Sequence, residues 1–305
     1  MWIGLVGSEM CIRDRLIISF TKLLSLLPRS FFFVSNSKVW NTLSAPLKKR
    51  RKIIEANINY CFDNKPEEWR QALINKTWDE TLLGLYDNNL AWNAGRRINN
   101  IKCEIKNEAL LREAQNKGEG VLMLFRHNVF LEMSTRLISE NFDIYGMERP
   151  NNSQVMQKVI LSGRLKAMKG LASNKKVNET VEWLKKGRTV LYGPDQDYRN
   201  KRSVISTFFG KDCLTTTVPY TLQKLTNCKL FYLDFYREGN GYKFSMEDIG
   251  HLADSPQSFA DEINKKIEDD VLANPEQYFW HHRRFKSQNP ATVSYTHLRS
   301  PRDLS

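Results

Sequence analysis

The chain has 305 residues, of which 41% are apolar and 26% are charged, a length that fits two domains or one large α/β domain with an extension. Its 16 Phe, 11 Tyr and 7 Trp exclude a disordered protein, while only 15 Gly and 10 Pro exclude collagen-like and low-complexity proteins. The net charge of +12 favours an anionic partner, which could be nucleic acid, an anionic membrane surface, or an acidic protein or substrate.

Residues 1–15 and residues 291–305 each resemble translated sequencing-adapter sequence. We therefore predict that both segments are non-native, and we exclude them from the fold. Residues 16–34 are apolar and aromatic, but Lys22 and Pro28 interrupt them, and a membrane-spanning helix needs about 20 mostly apolar residues. This segment is predicted to be either a partial membrane anchor or an amphipathic interfacial helix.

Residues 35–100 are predicted to be a helical N-terminal region, because from residue 53 onward apolar side chains recur at three- and four-residue steps. Residues 48–52 are five adjacent cations. They fit either a solvated helix face or the cytoplasmic side of an anionic membrane.

Residues 101–290 show a different pattern, in which helices alternate with short, continuous apolar runs typical of buried strands. The predicted helices are 108–117, 129–140, 179–186 and 257–272, and the predicted strands are 121–125, 189–192, 229–236 and 242–246. We expect Gly118 to end helix 108–117, and we expect Asn178 to cap helix 179–186 and Gly187 to end it. This alternation predicts an α/β fold, a central mostly parallel or mixed sheet flanked by helices, with an N-terminal helical or membrane-anchoring extension.

The five cysteines are odd in number and far apart, which favours a reducing compartment over a disulfide framework. The sequence has no CxxC and no HExxH motif, so we expect no metal site, and we expect no cofactor. The cysteines are Cys11, Cys61, Cys103, Cys213 and Cys228.

Chemistry in such a sheet is expected beyond the carboxyl ends of the strands. His127 lies in the turn after strand 121–125, and Glu132 lies in the first turn of the next helix. An imidazole can take a proton from a hydroxyl group, and a carboxylate beside it can fix its tautomer and stabilise its cation. The same spacing is also compatible with a helix-capping histidine and a surface glutamate.

A second polar segment, Asp195, Gln196 and Asp197, follows strand 189–192. These side chains could orient polar groups of a ligand, although Gly, Pro and Asp also favour a plain turn.

Arg149 and Arg164 lie between the two polar segments, and a guanidinium suits phosphate or carboxylate binding as well as plain solvation.

Residues 275–286 combine aromatic and cationic side chains. They could line an anion site, or they could pack a C-terminal segment onto the core.

Taken in order, these residues resemble a known family, the late acyltransferases of lipid A biosynthesis, within the glycerolipid-type acyltransferase fold. The resemblance covers residues 50–290, and the ordered set of motifs is highly specific although the H-x4-[DE] pair alone is not. The matching motifs are residues 50–52 with 57–62, His127 with Glu132, Glu148-Arg149-Pro150, Gly163-Arg164, residues 194–198, Ser203-Val204, Phe208-Phe209-Gly210, residues 215–217, residues 275–278 and residues 282–286. The chain departs from the family at Arg199, where Gly is usual, and at Thr207, where Pro is usual.

The resemblance implies transfer of a fatty acyl group from acyl carrier protein to a hydroxyacyl chain of a Kdo-bearing lipid A precursor. It implies that His127 is the general base, that Glu132 orients His127, and that Arg149 and Arg164 bind anionic groups of the glycolipid. The implied place of action is the cytoplasmic face of the bacterial inner membrane. The implied partners are acyl carrier protein, the anionic glycolipid and the membrane surface.

The resemblance also implies that Asp195, Gln196 and Asp197 shape the site. Alternatives at this point are a hydrolase that uses His127 on water, a same-fold acyltransferase with another glycolipid or phospholipid acceptor, and a basic membrane-binding protein without activity. No nucleic-acid partner is expected, because the chain has no recognised nucleic-acid-binding motif.

Overall fold

The computed structural model describes residues 19–27, 48–199, 201–252 and 254–288. The adapter-like segments, residues 1–15 and 291–305, and most of the predicted anchor lie outside these residues. In the parts of the chain that are described, no helix combines the length and the apolar composition needed to cross a membrane.

The described residues alternate between helices and strands. Residues 19–24 are helical, and from Lys48 onward the α-helices are α1 (Lys48–Cys61), α2 (Glu67–Asn93), α3 (Glu108–Asn116), α4 (Leu131–Asn141), α5 (Gln154–Arg164), α6 (Val177–Lys185), α7 (Val218–Thr226) and α8 (Pro256–Ala273). The strands are β1 (Cys103–Lys106), β2 (Val121–Phe125), β3 (Ile144–Glu148), β4 (Gly170–Ser173), β5 (Thr189–Tyr192), β6 (Ser203–Phe208), β7 (Lys211–Thr216), β8 (Lys229–Glu238) and β9 (Gly241–Asp248). Short 3₁₀ segments lie at Gly95–Asn100, Gly250–Leu252 and Pro275–Gln277.

The main sheet has seven strands in the order β1-β9-β8-β2-β5-β3-β4. Strands β8, β2, β5, β3 and β4 are all parallel to one another, whereas β9 is antiparallel to β8 and carries β1 as a parallel neighbour. Helices α4 to α6 connect the parallel strands β2 to β5, which requires crossovers rather than hairpins. The predicted α/β fold with a mixed, mostly parallel sheet is confirmed.

Strand β2 lies at the centre of the sheet and is buried along its whole length. Leu122 and Leu124 belong to an apolar core on one face of the sheet, and Val121 and Met123 belong to a second core on the other face. A continuous apolar run in the sequence is what a strand covered on both faces requires.

In its described part, the N-terminal region forms two helices, α1 and α2. Pro66 precedes the first residue of α2 and separates it from α1. Helix α2 packs against α4 and α5. The side chain of Asn57 in α1 donates to the backbone carbonyls of Trp280 and His282, each at 2.7 Å, and so attaches the C-terminal segment to this region.

The predicted ends of α3 and α6 are confirmed, whereas the predicted start of α6 is wrong. Gly118 and Gly187 adopt positive φ angles of 68° and 75° just beyond α3 and α6, a conformation that favours glycine. Helix α6 begins at Val177 with Lys176 before it, so Asn178 lies inside the first turn and does not cap the helix.

Several strands were not predicted from the sequence. Strands β1, β3 and β4 have only four or five residues, and each has side chains that are not fully buried, so their apolar pattern is weak. The β6–β7 hairpin was also missed. Its turn holds Phe209 and Gly210, both with positive φ, rather than the Asn-Gly or Asp-Gly pair that usually marks such turns.

Candidate active site

Two loops meet at the carboxyl edge of the sheet, because β2 and β5 are hydrogen-bonded parallel neighbours. The chain leaves β2 through His127 and enters α4, and it leaves β5 through Gly193 and reaches Asp195. Parallel strands bring their carboxyl ends to the same edge, so residues far apart in sequence become neighbours.

His127 and Asp195 form a hydrogen-bonded pair at this edge. Nδ1 of His127 lies 2.5 Å from Oδ1 of Asp195, and the backbone N–H of His127 donates to Oδ2 at 2.9 Å. Burial raises the pKa of Asp195, but the charge of His127 and its hydrogen bonds outweigh burial and lower this pKa to about 2. An ionised carboxylate only accepts hydrogen bonds, so Nδ1 of His127 is the donor in this pair, and Nε2 is the ring nitrogen that lies outside it.

The imidazole of His127 is tightly confined. A Cβ atom at position 193 would overlap Cε1 of His127, so Gly193 is needed for this close approach. The rings of Phe125 and Phe279 flank the imidazole, with centroids 5.4 and 6.5 Å away. Nε2 of His127 has no hydrogen-bond partner among the described residues, and His127 lines a cavity.

Glu132 lies in the first turn of α4, as predicted, but among the described residues it makes no hydrogen bond to His127. Its carboxylate accepts two hydrogen bonds from Arg164, at 2.5 and 2.9 Å, and one from the indole N–H of Trp92 at 3.0 Å. Trp92 belongs to α2 and Arg164 to α5, so the side chain of Glu132 points toward neighbouring helices. The direct contact that the spacing predicted is therefore not formed.

Arg164 lines the cavity beside His127, but its guanidinium is bound between two carboxylates. Besides Glu132 it donates to Glu148 at 2.6 Å. Burial lowers the pKa of Arg164, but the two carboxylates outweigh burial and raise it. Because two anions surround one cation, this triad carries no free positive charge, which does not match the anion-binding site predicted at Arg164.

The remaining predicted residues separate into two groups. Arg149 is exposed and Gln196 is half-buried, and both line the cavity beside His127. Asp197 is turned toward the C-terminal segment. Its Oδ2 accepts from the backbone N–H of Ser287 at 3.0 Å, and its own N–H donates to Nε2 of His282 at 2.7 Å.

The aromatic and cationic C-terminal segment packs onto the core, one of the two alternatives left open by the sequence. The backbone N–H of Phe279 donates to the carbonyl of His127 at 3.1 Å. Arg284 is buried and donates to the carbonyl of Gln196 at 3.0 Å. The segment therefore supports both loops that carry the His127–Asp195 pair.

A cavity of about 550 Å³ opens beside His127, a size typical of sites for small molecules and cofactors. Polar and apolar side chains both line it. The polar lining includes Arg149, Asn151, Asn174, Gln196 and Tyr198, and the apolar lining includes Phe125, Leu131, Met147, Met168, Leu171, Val177, Leu191, Val218 and Phe279. A base beside a cavity with both apolar and polar lining suits a substrate that combines a hydrocarbon chain with a reacting polar group.

Sequence reasoning assigned no role to Trp92, Glu148 or Arg284. Glu148 lies at the carboxyl end of β3. Recognition of that short strand would have identified Glu148 by the same rule that identified His127. The links from Trp92 to Glu132 and from Arg284 to Gln196 join distant parts of the chain and leave no local sequence signal.

Comparison with known proteins identifies the family. Residues 10–287 match the family model described as bacterial lipid A biosynthesis acyltransferase. The chain is 29% identical to the lipid A biosynthesis lauroyltransferase of Escherichia coli (strain K12), over 79% of this chain and 81% of that protein. It is 30% identical to the lipid A biosynthesis palmitoleoyltransferase of the same strain, over 79% of this chain and 80% of that protein.

A lipid A biosynthesis acyltransferase of Haemophilus influenzae is 27% identical, over 79% of each chain. The match of the family model extends over most of the chain and includes both loops of the site. The protein is therefore an acyltransferase that belongs to the bacterial lipid A biosynthesis acyltransferase family.

Proposed function

We propose that this enzyme transfers a fatty acyl group from acyl carrier protein to a hydroxyl group on a hydroxyacyl chain of a Kdo-bearing lipid A precursor. The observation that carries the proposal is the His127–Asp195 pair on the wall of a cavity lined by both apolar and polar side chains. The relatives named as lauroyl and palmitoleoyl transferases support a fatty acyl group as the group that moves.

His127 is the general base in this proposal. Its Nε2 takes the proton of the acceptor hydroxyl while the hydroxyl oxygen attacks the thioester carbonyl carbon. The new ester bond forms, the thioester bond breaks, and the imidazolium returns its proton to the leaving thiolate. Asp195 stabilises the imidazolium between these steps. No enzyme nucleophile is required, and the sequence has no GxSxG motif.

The charged residues around the cavity have separate proposed roles. Arg149 is exposed on the cavity wall, so it is the proposed site for an anionic group of the glycolipid. Glu132, Arg164 and Glu148 fix the wall between α4, α5 and β3. Glu132 is thus a positioning residue that acts on His127 only indirectly.

The proposed place of action is the cytoplasmic face of the bacterial inner membrane. Residues 19–27 pack on α2 through Leu24 and Leu27, and they leave Phe20, Leu23 and Leu26 exposed at three-residue steps. Such a face suits a helix that lies in a membrane interface. The net charge of +12 suits two acidic partners, the carrier protein and the membrane.

The test is mass spectrometry of a Kdo-bearing tetraacyl lipid A precursor after incubation with the full chain and acyl carrier protein thioesters. We expect a mass gain of one acyl group with the wild-type protein. The His127→Ala variant is expected to lose about 10²–10⁴-fold in rate, because general-base catalysis contributes that much.

Three results would contradict the proposal. Release of free fatty acid without an acylated product would indicate a hydrolase. Acylation of a phospholipid or another glycolipid in place of the precursor would indicate a different acceptor. Near wild-type transfer by a folded His127→Ala protein would remove His127 from the mechanism.

A further inference from the structure

One row of side chains across the sheet is apolar and large except at a single position. The strand register places Phe231, Met123, Leu191, Gly146 and Leu171 side by side on β8, β2, β5, β3 and β4. The four large side chains of the row belong to, or pack on, the same apolar core. Gly146 therefore leaves a gap in an otherwise continuous apolar surface.

The cavity beside His127 extends into this gap. Gly146, Leu171 and Leu191 all line the cavity, and so does Met168, which is 7% exposed. A Cβ atom at position 146 would lie 2.7 Å from Cε of Met168 and 3.2 Å from Cδ2 of Leu171. The terminal methyl group of Met168 thus fills part of the space that a side chain at position 146 would need.

The gap lies deep in the molecule relative to the reacting group. Gly146 is in register with Leu191, and Leu191 precedes Gly193, which packs against the imidazole of His127, by two residues. At the rise of an extended chain, two residues correspond to about 7 Å along the strand direction. Among the strand residues that line the cavity, those of this row lie farthest from the carboxyl edge of the sheet. The Gly146–Met168 contact therefore lies at the inner end of an apolar passage that begins at His127.

We propose that Gly146 and Met168 determine the length of the acyl chain that the enzyme accepts from its donor. This inference rests on the proposed function. A donor acyl chain is unbranched and has a free methyl end, so a closed, apolar inner end fits it. The acceptor is a bulky anionic glycolipid, which fits the polar part of the cavity around Arg149 and Asn151.

The flexible thioether of Met168 makes the inner end easy to alter. In Gly146→Ala, the added methyl group meets the tip of an unbranched side chain rather than backbone, so Met168 can move while the sheet keeps its register. The free space available to the displaced tip is the cavity that Met168 already lines. Gly146→Ala is therefore expected to shorten the passage, and Met168→Ala is expected to lengthen it.

The experiment is a competition among saturated acyl carrier protein thioesters of increasing chain length, with the full chain and the same lipid A precursor. The products are quantified by mass spectrometry. We expect Gly146→Ala to change the ratio of shorter to longer acyl products at least about 10-fold in favour of shorter chains, because one methylene group changes selectivity by that order. Met168→Ala should change the ratio in the opposite direction.

A matched control is Gly170→Ala on the adjacent strand β4. A Cβ atom there would lie 2.9 Å from Cδ1 of Tyr145 and 3.1 Å from Cζ2 of Trp183, and position 170 does not line the cavity. This variant disturbs the same sheet without changing the passage, so its product distribution should equal that of the wild type. The double variant Gly146→Ala with Met168→Ala should return toward the wild-type distribution.

The outcomes separate the two proposals. If the wild-type protein acylates no lipid A precursor, the proposed function fails. If the wild type is active but both single variants keep its product distribution, the chain-length inference is wrong. The inference is also wrong if both variants shift in the same direction or if Gly170→Ala shifts as far as Gly146→Ala. Should Gly146→Ala fail to fold, Met168→Ala still tests the inference, because it only removes atoms.

Discussion

Asp195, the carboxylate that holds His127, lies 68 residues away in the chain. Glu132, only five residues from His127, binds Arg164 instead. Asp195 reaches the imidazole because its loop follows the parallel neighbour of β2. Glu132 is directed to Arg164 by the start of α4. At the scale of single residues, the sequence identified the histidine and both acids, and the structure assigned each acid to its partner.

Asp195→Asn is expected to lower turnover by about 10²–10⁴-fold with a smaller effect on KM, because a neutral amide cannot stabilise the imidazolium. The measurement is steady-state kinetics of acyl transfer, with a thermal unfolding curve to verify that the variant is folded. Equal kinetics for Asp195→Asn and wild type, together with a large loss in Glu132→Gln, would restore the pairing predicted from the spacing.

Arg164→Leu is expected to lower the free energy of unfolding by about 3–5 kcal/mol, because it leaves Glu132 and Glu148 buried without a cation. Denaturant unfolding measures the change. The matched control is Arg112→Leu, whose pair with Glu108 is about half exposed on both sides and should contribute about 0–1 kcal/mol. Similar losses in both variants would show that the triad is no stronger than a surface ion pair.

At the scale of elements, the sequence predicted the helices and strands whose apolar residues recur at regular local spacing. The buried strands β2 and β5 and the helices α3 and α8 were found within one residue at each end. The β6–β7 hairpin was missed because Phe209 takes a positive φ of 52°. Aromatic packing explains why Phe209 occupies this turn, since its ring centroid lies 4.8 Å from that of Phe62 and 6.0 Å from that of Trp280.

The attachment of the C-terminal segment to α1 can be tested at the scale of elements. Asn57→Ala removes the donor to the carbonyls of Trp280 and His282, and each buried carbonyl left without a donor costs about 1–3 kcal/mol. We expect faster hydrogen exchange of the amides in residues 277–284, measured by mass spectrometry, and a lower rate of acyl transfer. Unchanged exchange in this segment would show that α1 does not hold it.

At the scale of the whole molecule, two buried neutral histidines predict acid sensitivity. Burial first, and then the charge of Arg50, lower the pKa of His281 to about 4. Burial first, and then the charge of Arg284, lower the pKa of His282 to about 3. A histidine in an unfolded chain has a pKa of about 6.5, so below that pH the unfolded chain binds more protons at these two positions than the folded chain does.

Stability is therefore expected to be full above about pH 6.5 and to fall as the pH decreases from there toward about 4. Each histidine contributes a slope of about 1.4 kcal/mol per pH unit in this window. Asp270 opposes them, because burial and then the charge of Asp234 raise its pKa to about 6 in the folded chain, so it offsets about one histidine below that pH. Urea unfolding at a series of pH values from neutral into this window measures the net slope, and His282→Gln should lower it by about 1.4 kcal/mol per pH unit while its amide oxygen still accepts from Asp197. Equal slopes for the wild type and His282→Gln would mean that His282 is protonated in the folded state.

The sequence by itself determined the α/β class, the mixed sheet, His127 as the candidate base, and the family resemblance that the comparisons confirm. These features depend on local periodicity and on motifs that can be read along the chain. The tertiary structure decided that Asp195 holds His127, that Arg164 is bound to Glu132 and Glu148, and that Gly146 lines the cavity. These contacts depend on strand order and register, which local patterns do not encode.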